Sequence, residues 1–143
     1  MKLIKNLRIL LIDDDEWIRD SMSMYFEDEG CYLQTLRSAE DALEALINES
    51  FDIIIADYKL PGIDGLEFFK KADELNSEAV KILITAYGSK ELFTKALNMG
   101  IHDCIEKPFT SETIEDFLKR LLNVDSARTK TRKFFQVQGK RKF

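Results

Sequence analysis

A doubly wound α/β domain with a parallel five-stranded sheet is expected of this 143-residue chain on three grounds. Five short runs rich in Ile and Leu begin at Leu7, Cys31, Phe51, Val80 and Ile101, spaced 24, 20, 29 and 21 residues apart. Between them, apolar residues recur at helical intervals. The runs themselves are apolar without polar alternation, as strands are when helices cover both faces of a parallel sheet. With 45% hydrophobic and 33% charged residues, the composition is that of one ordinary folded domain and excludes wholesale disorder.

The elements follow in order. Strand one, Leu7 to Ile12, stops at Asp13, Asp14 and Asp15. Asp15 and Glu16 suit the start of the first helix, whose amino terminus favours acids. Within that helix Met22 and Met24 read as packing residues and Trp17, one turn in, as partly packed. Gly30 follows as its C-cap. Strand two runs from Cys31 to Leu36, and Ser38-Ala39-Glu40-Asp41 caps helix two. Strand three, Phe51 to Ala56, ends at Asp57, ahead of a loop holding Pro61 and Gly62. Phe68 and Phe69 then read as core residues of helix three. Strand four, Val80 to Ile84, ends at Thr85. Helix four shows the stripe Leu92, Phe93, Ala96 and Leu97, closed by Gly100. Strand five, Ile101 to Ile105, takes in His102 and leads to Lys107. Thr110-Ser111-Glu112 opens helix five, whose Ile114, Phe117, Leu118, Leu121 and Leu122 fall at i, i+3, i+4, i+7 and i+8. It should end near Leu122 or Asn123, which bounds the domain at 1–123.

Charge is uneven. Of 21 basic and 26 acidic residues, seven basic ones and only Asp125 fall in the tail 124–143, which carries +6 and leaves −11 on the body. The body should repel polyanions, so nucleic acid is not its natural partner. The tail interleaves Arg128, Lys130, Arg132, Lys133, Lys140, Arg141 and Lys142 with Phe134, Phe135 and Phe143. That pattern suits phosphates, a membrane surface or an acidic protein, and equally a solvated end or a linker to a further domain. No uncharged apolar run nears the roughly 20 residues of a membrane span, and no signal peptide stands out. Cys31 and Cys104 have no metal-ligand spacing and are too few for a disulfide framework, which suits a reducing cytoplasm.

The chemistry gathers where the strands end. All carboxyl ends of an open parallel sheet meet at one edge, so Asp13, Asp14, Asp15, Asp57, Thr85 and Lys107 can share one site despite their separation in sequence. Carboxylates converging in a crevice repel one another and take up protons unless a cation sits among them. With oxygen ligands and neither His nor Cys in the set, the cation is a hard divalent ion, best Mg²⁺. Lys107 supplies a point charge for a phosphoryl group and Thr85 a neutral hydroxyl donor. A carboxylate can itself be the nucleophile and form an aspartyl phosphate. Charge alone does not say which aspartate attacks.

From about Leu7 to Leu122, these residues resemble the receiver domains of two-component response regulators. The likeness rests on four motifs: Leu10-Leu11-Ile12-Asp13-Asp14-Asp15, Asp52 to Asp57 followed by Leu60-Pro61-Gly62-Ile63-Asp64-Gly65, Ile84-Thr85-Ala86-Tyr87-Gly88, and Glu106-Lys107-Pro108-Phe109. The resemblance implies a flavodoxin-like (βα)5 sandwich with strand order 2-1-3-4-5. Strands two and five are then opposite edges, too far apart for Cys31 to bridge to Cys104. It also implies Asp57 as phosphoacceptor, and Asp13, Asp14, Asp57 and the backbone carbonyl of Lys59 as ligands of Mg²⁺. Thr85 and Lys107 would contact the phosphoryl oxygens, and the Lys107-Pro108 peptide would be cis. The donor would be a histidine kinase or phosphotransfer protein, or a small acyl phosphate. The reader would be an effector protein, an output domain, or a second copy meeting helix four, strand five and helix five.

One departure bears on switching. Receivers usually carry Tyr or Phe three residues before the lysine, where this chain has Cys104, so loop and helix-four movement should carry the signal, with His102 or Tyr87 as substitutes. Lys59 and Tyr87 flank the path of the hydrolytic water, which suggests slow self-dephosphorylation. Two rival readings stand beside the receiver. A pseudo-receiver would bind protein partners without phosphoryl uptake. A haloacid-dehalogenase-like phosphatase would use Asp13 as nucleophile, but expects Thr or Val after Asp13-x-Asp15, where Glu16 and Trp17 stand.

Overall fold

The computed structural model describes residues 6–122; Asn123 and the basic tail lie outside them. Strand and helix alternate throughout: β1 (Arg8–Ile12), α1 (Glu16–Asp28), β2 (Tyr32–Leu36), α2 (Ala39–Asn48), β3 (Ile53–Asp57), α3 (Gly65–Ala72), β4 (Val80–Thr85), α4 (Lys90–Asn98), β5 (Asp103–Glu106) and α5 (Ser111–Leu122). The strands form one parallel sheet in the order β2-β1-β3-β4-β5.

Strand side chains alternate between faces, so the sheet feeds two cores. Leu10, Ile12, Ile54, Ala56, Leu83 and Cys104 meet α2, α3 and α4 on one face. Ile9, Leu11, Ile53, Ile55, Ile82, Ile84 and Ile105 meet α1 and α5 on the other. Asp15, Ser38, Asp64 and Ser89 cap four helices, each side chain accepting from a backbone N–H of the first turn. Gly30 and Gly100 follow α1 and α4 at φ of 84° and 93°, the left-handed conformation a helix C-cap needs. No helix among the described residues is long and apolar enough to cross a membrane.

Several expectations need correction. β2 is covered on neither side as fully as a central strand: Tyr32 is exposed and its other residues are half-buried, because it is an edge strand. Tyr32 stacks on Phe51 with ring centroids 6.4 Å apart, and the Arg8 guanidinium lies 4.5 Å from the Tyr32 ring. α1 packs through Met22 and Phe26, four residues apart on one face. At 100° per residue, Trp17 and Met24 fall on the opposite side, and both are largely exposed rather than packed. His102 sits just ahead of β5 rather than in it, its Nδ1 accepting from the Lys81 N–H at 3.0 Å. Cys31 and Cys104 are buried near opposite edges, and no disulfide joins them.

Candidate functional site

Strand parity assembles the site. Leu11, Ile55 and Ile105 point to the α1/α5 face, and two residues further along each strand come Asp13, Asp57 and Lys107, on the same face at the carboxyl-terminal edge. The Lys107 Nζ lies 3.0 Å from Asp13 Oδ2 and 3.2 Å from Asp57 Oδ2. Asp13 and Asp57 are buried, whereas Asp14 is exposed at the mouth. Carboxylate oxygens of Asp13, Asp14 and Asp57 all lie within 4.8 Å of one another.

The local backbone holds these groups in place. Arg19, from the first turn of α1, donates to the Asp13 carbonyl at 2.9 Å, and the Asp15 N–H donates to Asp13 Oδ1 at 3.0 Å. The loop after β3 is pinned by Tyr58 N–H to the Ile84 carbonyl at 2.8 Å and by Gly65 N–H to the Tyr58 carbonyl at 2.7 Å. Gly65 has no room for a side chain, since a Cβ would lie 2.5 Å from the Asp57 carbonyl oxygen. After β5 the Lys107 N–H donates to the Thr85 carbonyl at 2.8 Å, and the Lys107-Pro108 peptide is cis.

Electrostatics leave the cluster short of positive charge. Three carboxylates face one ammonium, a deficit equal to one divalent cation. Burial and the neighbouring Asp13 push the Asp57 carboxyl up to about 6, against the opposing pull of Lys107. Burial alone would depress the Lys107 ammonium, yet the carboxylates of Asp13 and Asp57 beside it raise it above the ordinary lysine value. Asp13 Oδ2, fully buried, has the Lys107 charge beside it but no hydrogen bond of good direction, so a lone pair stays open. An all-oxygen donor set with an open buried lone pair and two uncompensated charges fits a hard divalent ion.

Thr85 stands apart from this cluster. Ile84 points to the α1/α5 face, so Thr85 turns to the face that α4 covers, where its buried Oγ1 accepts from the Tyr87 N–H at 3.0 Å. Lys59 is exposed in the loop after β3, its Nζ 4.9 Å from the centre of the Tyr87 ring, a cation–π contact between the loops that follow β3 and β4. The structure thus gathers Asp13, Asp14, Asp57 and Lys107, and places Thr85 and Lys59 at the same edge but outside that contact set. Arg19 and the close approach at Gly65 were not anticipated. No spacing rule points to Arg19, whereas a glycine opening a helix is a signal that a neighbour stands close.

Comparison with known proteins agrees with this architecture. Residues 9–119 match the family described as response regulator receiver domain. Sporulation initiation phosphotransferase F of Bacillus subtilis is 32% identical over 123 residues, 85% of this chain and 98% of that protein. The C4-dicarboxylate transport transcriptional regulatory protein DctD of Pseudomonas aeruginosa is 32% identical over 82% of this chain, which spans only 25% of that regulator's length. The crystal structure of a CheY-like receiver domain protein from Methanospirillum hungatei superposes with a TM-score of 0.78 at 34% identity, covering 83% of this chain and 95% of that one. A match over most of the chain, on the strand order and edge described above, makes this protein a member of the response regulator receiver domain family, the phosphoacceptor module of two-component signalling.

Proposed function

We propose that Asp57 is the residue that takes the phosphoryl group, from a histidine kinase or phosphotransfer protein, or from a small acyl phosphate. The observation that carries this is the Lys107 ammonium bridging two buried carboxylates, Asp13 and Asp57, with Asp14 at the mouth. Asp57 ends its strand, and a carboxyl at about 6 is ionised at neutral pH and poised as a nucleophile. Its oxygen attacks phosphorus in line with the bond to the donor; the new O–P bond forms as the donor bond breaks, and the donor leaves with that bond's electron pair. Asp13, Asp14, Asp57 and the Lys59 carbonyl would hold Mg²⁺, which when bound neutralises charge on the transferring group. Lys107 turns from the carboxylates to a phosphoryl oxygen, and Thr85 donates its hydroxyl hydrogen to another.

Asp13 serves this chemistry as a ligand rather than as a nucleophile. Its Oδ1 is engaged by the Asp15 N–H and its Oδ2 faces Lys107, which supports a ligand role. The Tyr87 ring and the Lys59 side chain, in contact with each other, crowd the approach of water and lengthen the life of the phosphorylated state. The receiver unit, assigned to residues 1–123 with 6–122 described, acts in the cytoplasm as a signalling domain without turnover of an external substrate, and presents α4, β5 and α5 to an effector or a second copy.

Incubation of the full chain with Mg²⁺ and acetyl phosphate tests this reading. Wild type should gain one base-labile phosphoryl group by intact-mass measurement, over a lifetime longer than seconds. Asp57→Asn should gain none, and Asp13→Asn should gain it far more slowly. No gain in wild type with any donor supports a pseudo-receiver. Turnover that depends on Asp13 and survives Asp57→Asn supports the phosphatase.

A further inference from the structure

The face of the sheet beneath α4 carries a contact that the phosphoryl chemistry does not use. Gly88 lies in the loop between Thr85 and α4, and a Cβ there would meet Phe93 Cζ at 2.5 Å, Phe93 Cε2 at 3.0 Å and Glu106 Cδ at 3.1 Å. Three elements therefore meet at one glycine: the loop holding Thr85, the first turn of α4 through Phe93, and the end of β5 through Glu106. Phe93 is 1% exposed, and its N–H donates to the carbonyl of the cap residue Ser89 at 3.0 Å, so ring and helix start move together. Glu106 is the β5 register partner of Thr85. Two residues earlier on the same face, β5 presents only the small side chain of Cys104, in the same core cluster as Phe93. On this face the aromatic bulk beside the loop comes from the helix and not from the strand.

We propose that Phe93 is the positioning residue that couples the Thr85 loop to α4 and β5. The inference rests on Asp57 being the phosphoacceptor. Thr85 points away from the Asp13–Asp57–Lys107 cluster, so donating to a phosphoryl group on Asp57 requires it to cross toward the α1/α5 face. Gly88, three residues on, follows. The ring packed against Gly88 then loses its seat and shifts against Glu106 and Cys104, carrying the start of α4 with it. Close-packed cores repack between discrete arrangements rather than deforming smoothly, so a small loop displacement becomes a helix movement.

The full chain, ¹⁵N-labelled in Mg²⁺, is titrated with beryllofluoride as the phosphoryl mimic, and amide shifts are compared with Phe93→Leu and with Phe93→Ala combined with Cys104→Phe. Phe93→Met stands in should Phe93→Leu fail to fold, as judged by thermal melting. Wild type should show shifts both at the site edge, residues 13–15 and 57–59, and at residues 102–106. Phe93→Leu should keep the first set and lose at least half the amplitude of the second. The double variant, which returns a ring to the same space from β5, should restore the second set toward wild type. Equal responses at 102–106 in Phe93→Leu and wild type, or no recovery in the double variant, overturn the coupling alone. A wild type with no response at the site edge removes the Asp57 reading and the coupling with it.

Discussion

Each end of the sheet holds a lysine against carboxylates, Lys81 buried and Lys107 half-buried, and the way each is satisfied separates architecture from chemistry. At the amino-terminal edge, Lys81 is 5% exposed and donates to the carbonyls of Ser77 at 3.2 Å and Ala79 at 3.3 Å. Its third partner is Asp73, 3.0 Å away, whose side chain is exposed and keeps its hydration. An ammonium has three donors, and here all three have acceptors. At the carboxyl-terminal edge, one ammonium, that of Lys107, serves two buried carboxylates, with the Asp14 carboxylate within 4.8 Å of both. The first lysine closes its surroundings; the second leaves two negative charges for a ligand to answer. A buried charge points to function when its surroundings are left unbalanced, not merely because it is buried.

The sharpest way to break this comparison is to neutralise each lysine with a side chain of similar length. Lys107→Met should slow phosphoryl uptake by about 10²-fold or more, through loss of charge aimed at the transferring group. It should also lower stability by roughly 3 kcal/mol, because Asp13 and Asp57 are left facing each other. Lys81→Met should lower stability by about 1–2 kcal/mol, through two carbonyls left without a donor, and leave uptake within about twofold of wild type. Urea melts and intact-mass time courses check both. Equal effects on uptake would erase the distinction between the edges.

Stability against pH sharpens it further, because the two edges carry opposite signs. The Asp57 carboxyl sits at about 6 in the fold against 3.8 ordinarily, so between those values the folded state holds a proton the unfolded chain has lost. Stability from this group is therefore lost as pH rises from about 4 to about 6, on the order of 3 kcal/mol in all. At the other edge, burial and then the charge of Lys81 lower the His102 imidazole below its ordinary 6.5. The fold keeps this ring neutral, with Nδ1 accepting from Lys81, so its contribution is lost as pH falls through 6.5 and below. In metal-free buffer, Asp57→Asn should remove the first slope and His102→Gln the second. A profile unchanged by Asp57→Asn would contradict the crowded-carboxylate description.

Two glycines test how tightly the loop after β3 is held. Gly65→Ala would thrust a methyl to 2.5 Å from the Asp57 carbonyl and 2.9 Å from Tyr58 Cα, neither a flexible side-chain tip. It should cost about 2 kcal/mol and slow uptake by displacing Asp57. Gly62→Ala meets nothing within 4 Å but sits at φ +86°, so it should cost about 1 kcal/mol and leave uptake near wild type. Melting curves with uptake assays on the same samples rank the two.

Much of this edge could be read from residues alone, because apolar runs announce strands and the first polar residue after each run lands at the sheet's end. Asp13, Asp57 and Thr85 are legible that way, and Lys107 stands one residue beyond Glu106, the first polar residue after the fifth run. Parity adds the distinction that runs of apolar residues do not show: counting by twos from the buried Ile55 and Ile84 separates Asp57 from Thr85. Helical arithmetic would likewise have placed Trp17 and Met24 opposite Met22 and Phe26. The half-covered β2 was not legible from its own residues, since the neighbours of a strand depend on sheet order. The Lys81–Asp73–His102 cluster was equally invisible, since its members share no motif and come together only through loops between elements.

The most direct test locates the phosphoryl group. Borohydride converts an aspartyl phosphate to homoserine, and tandem mass spectrometry of the full chain, treated with Mg²⁺ and acetyl phosphate and then reduced, reads the position. Homoserine at position 57, dependent on Lys107 and indifferent to Lys81, is the predicted result. Homoserine at position 13 or 14, or equal dependence on both lysines, would contradict it.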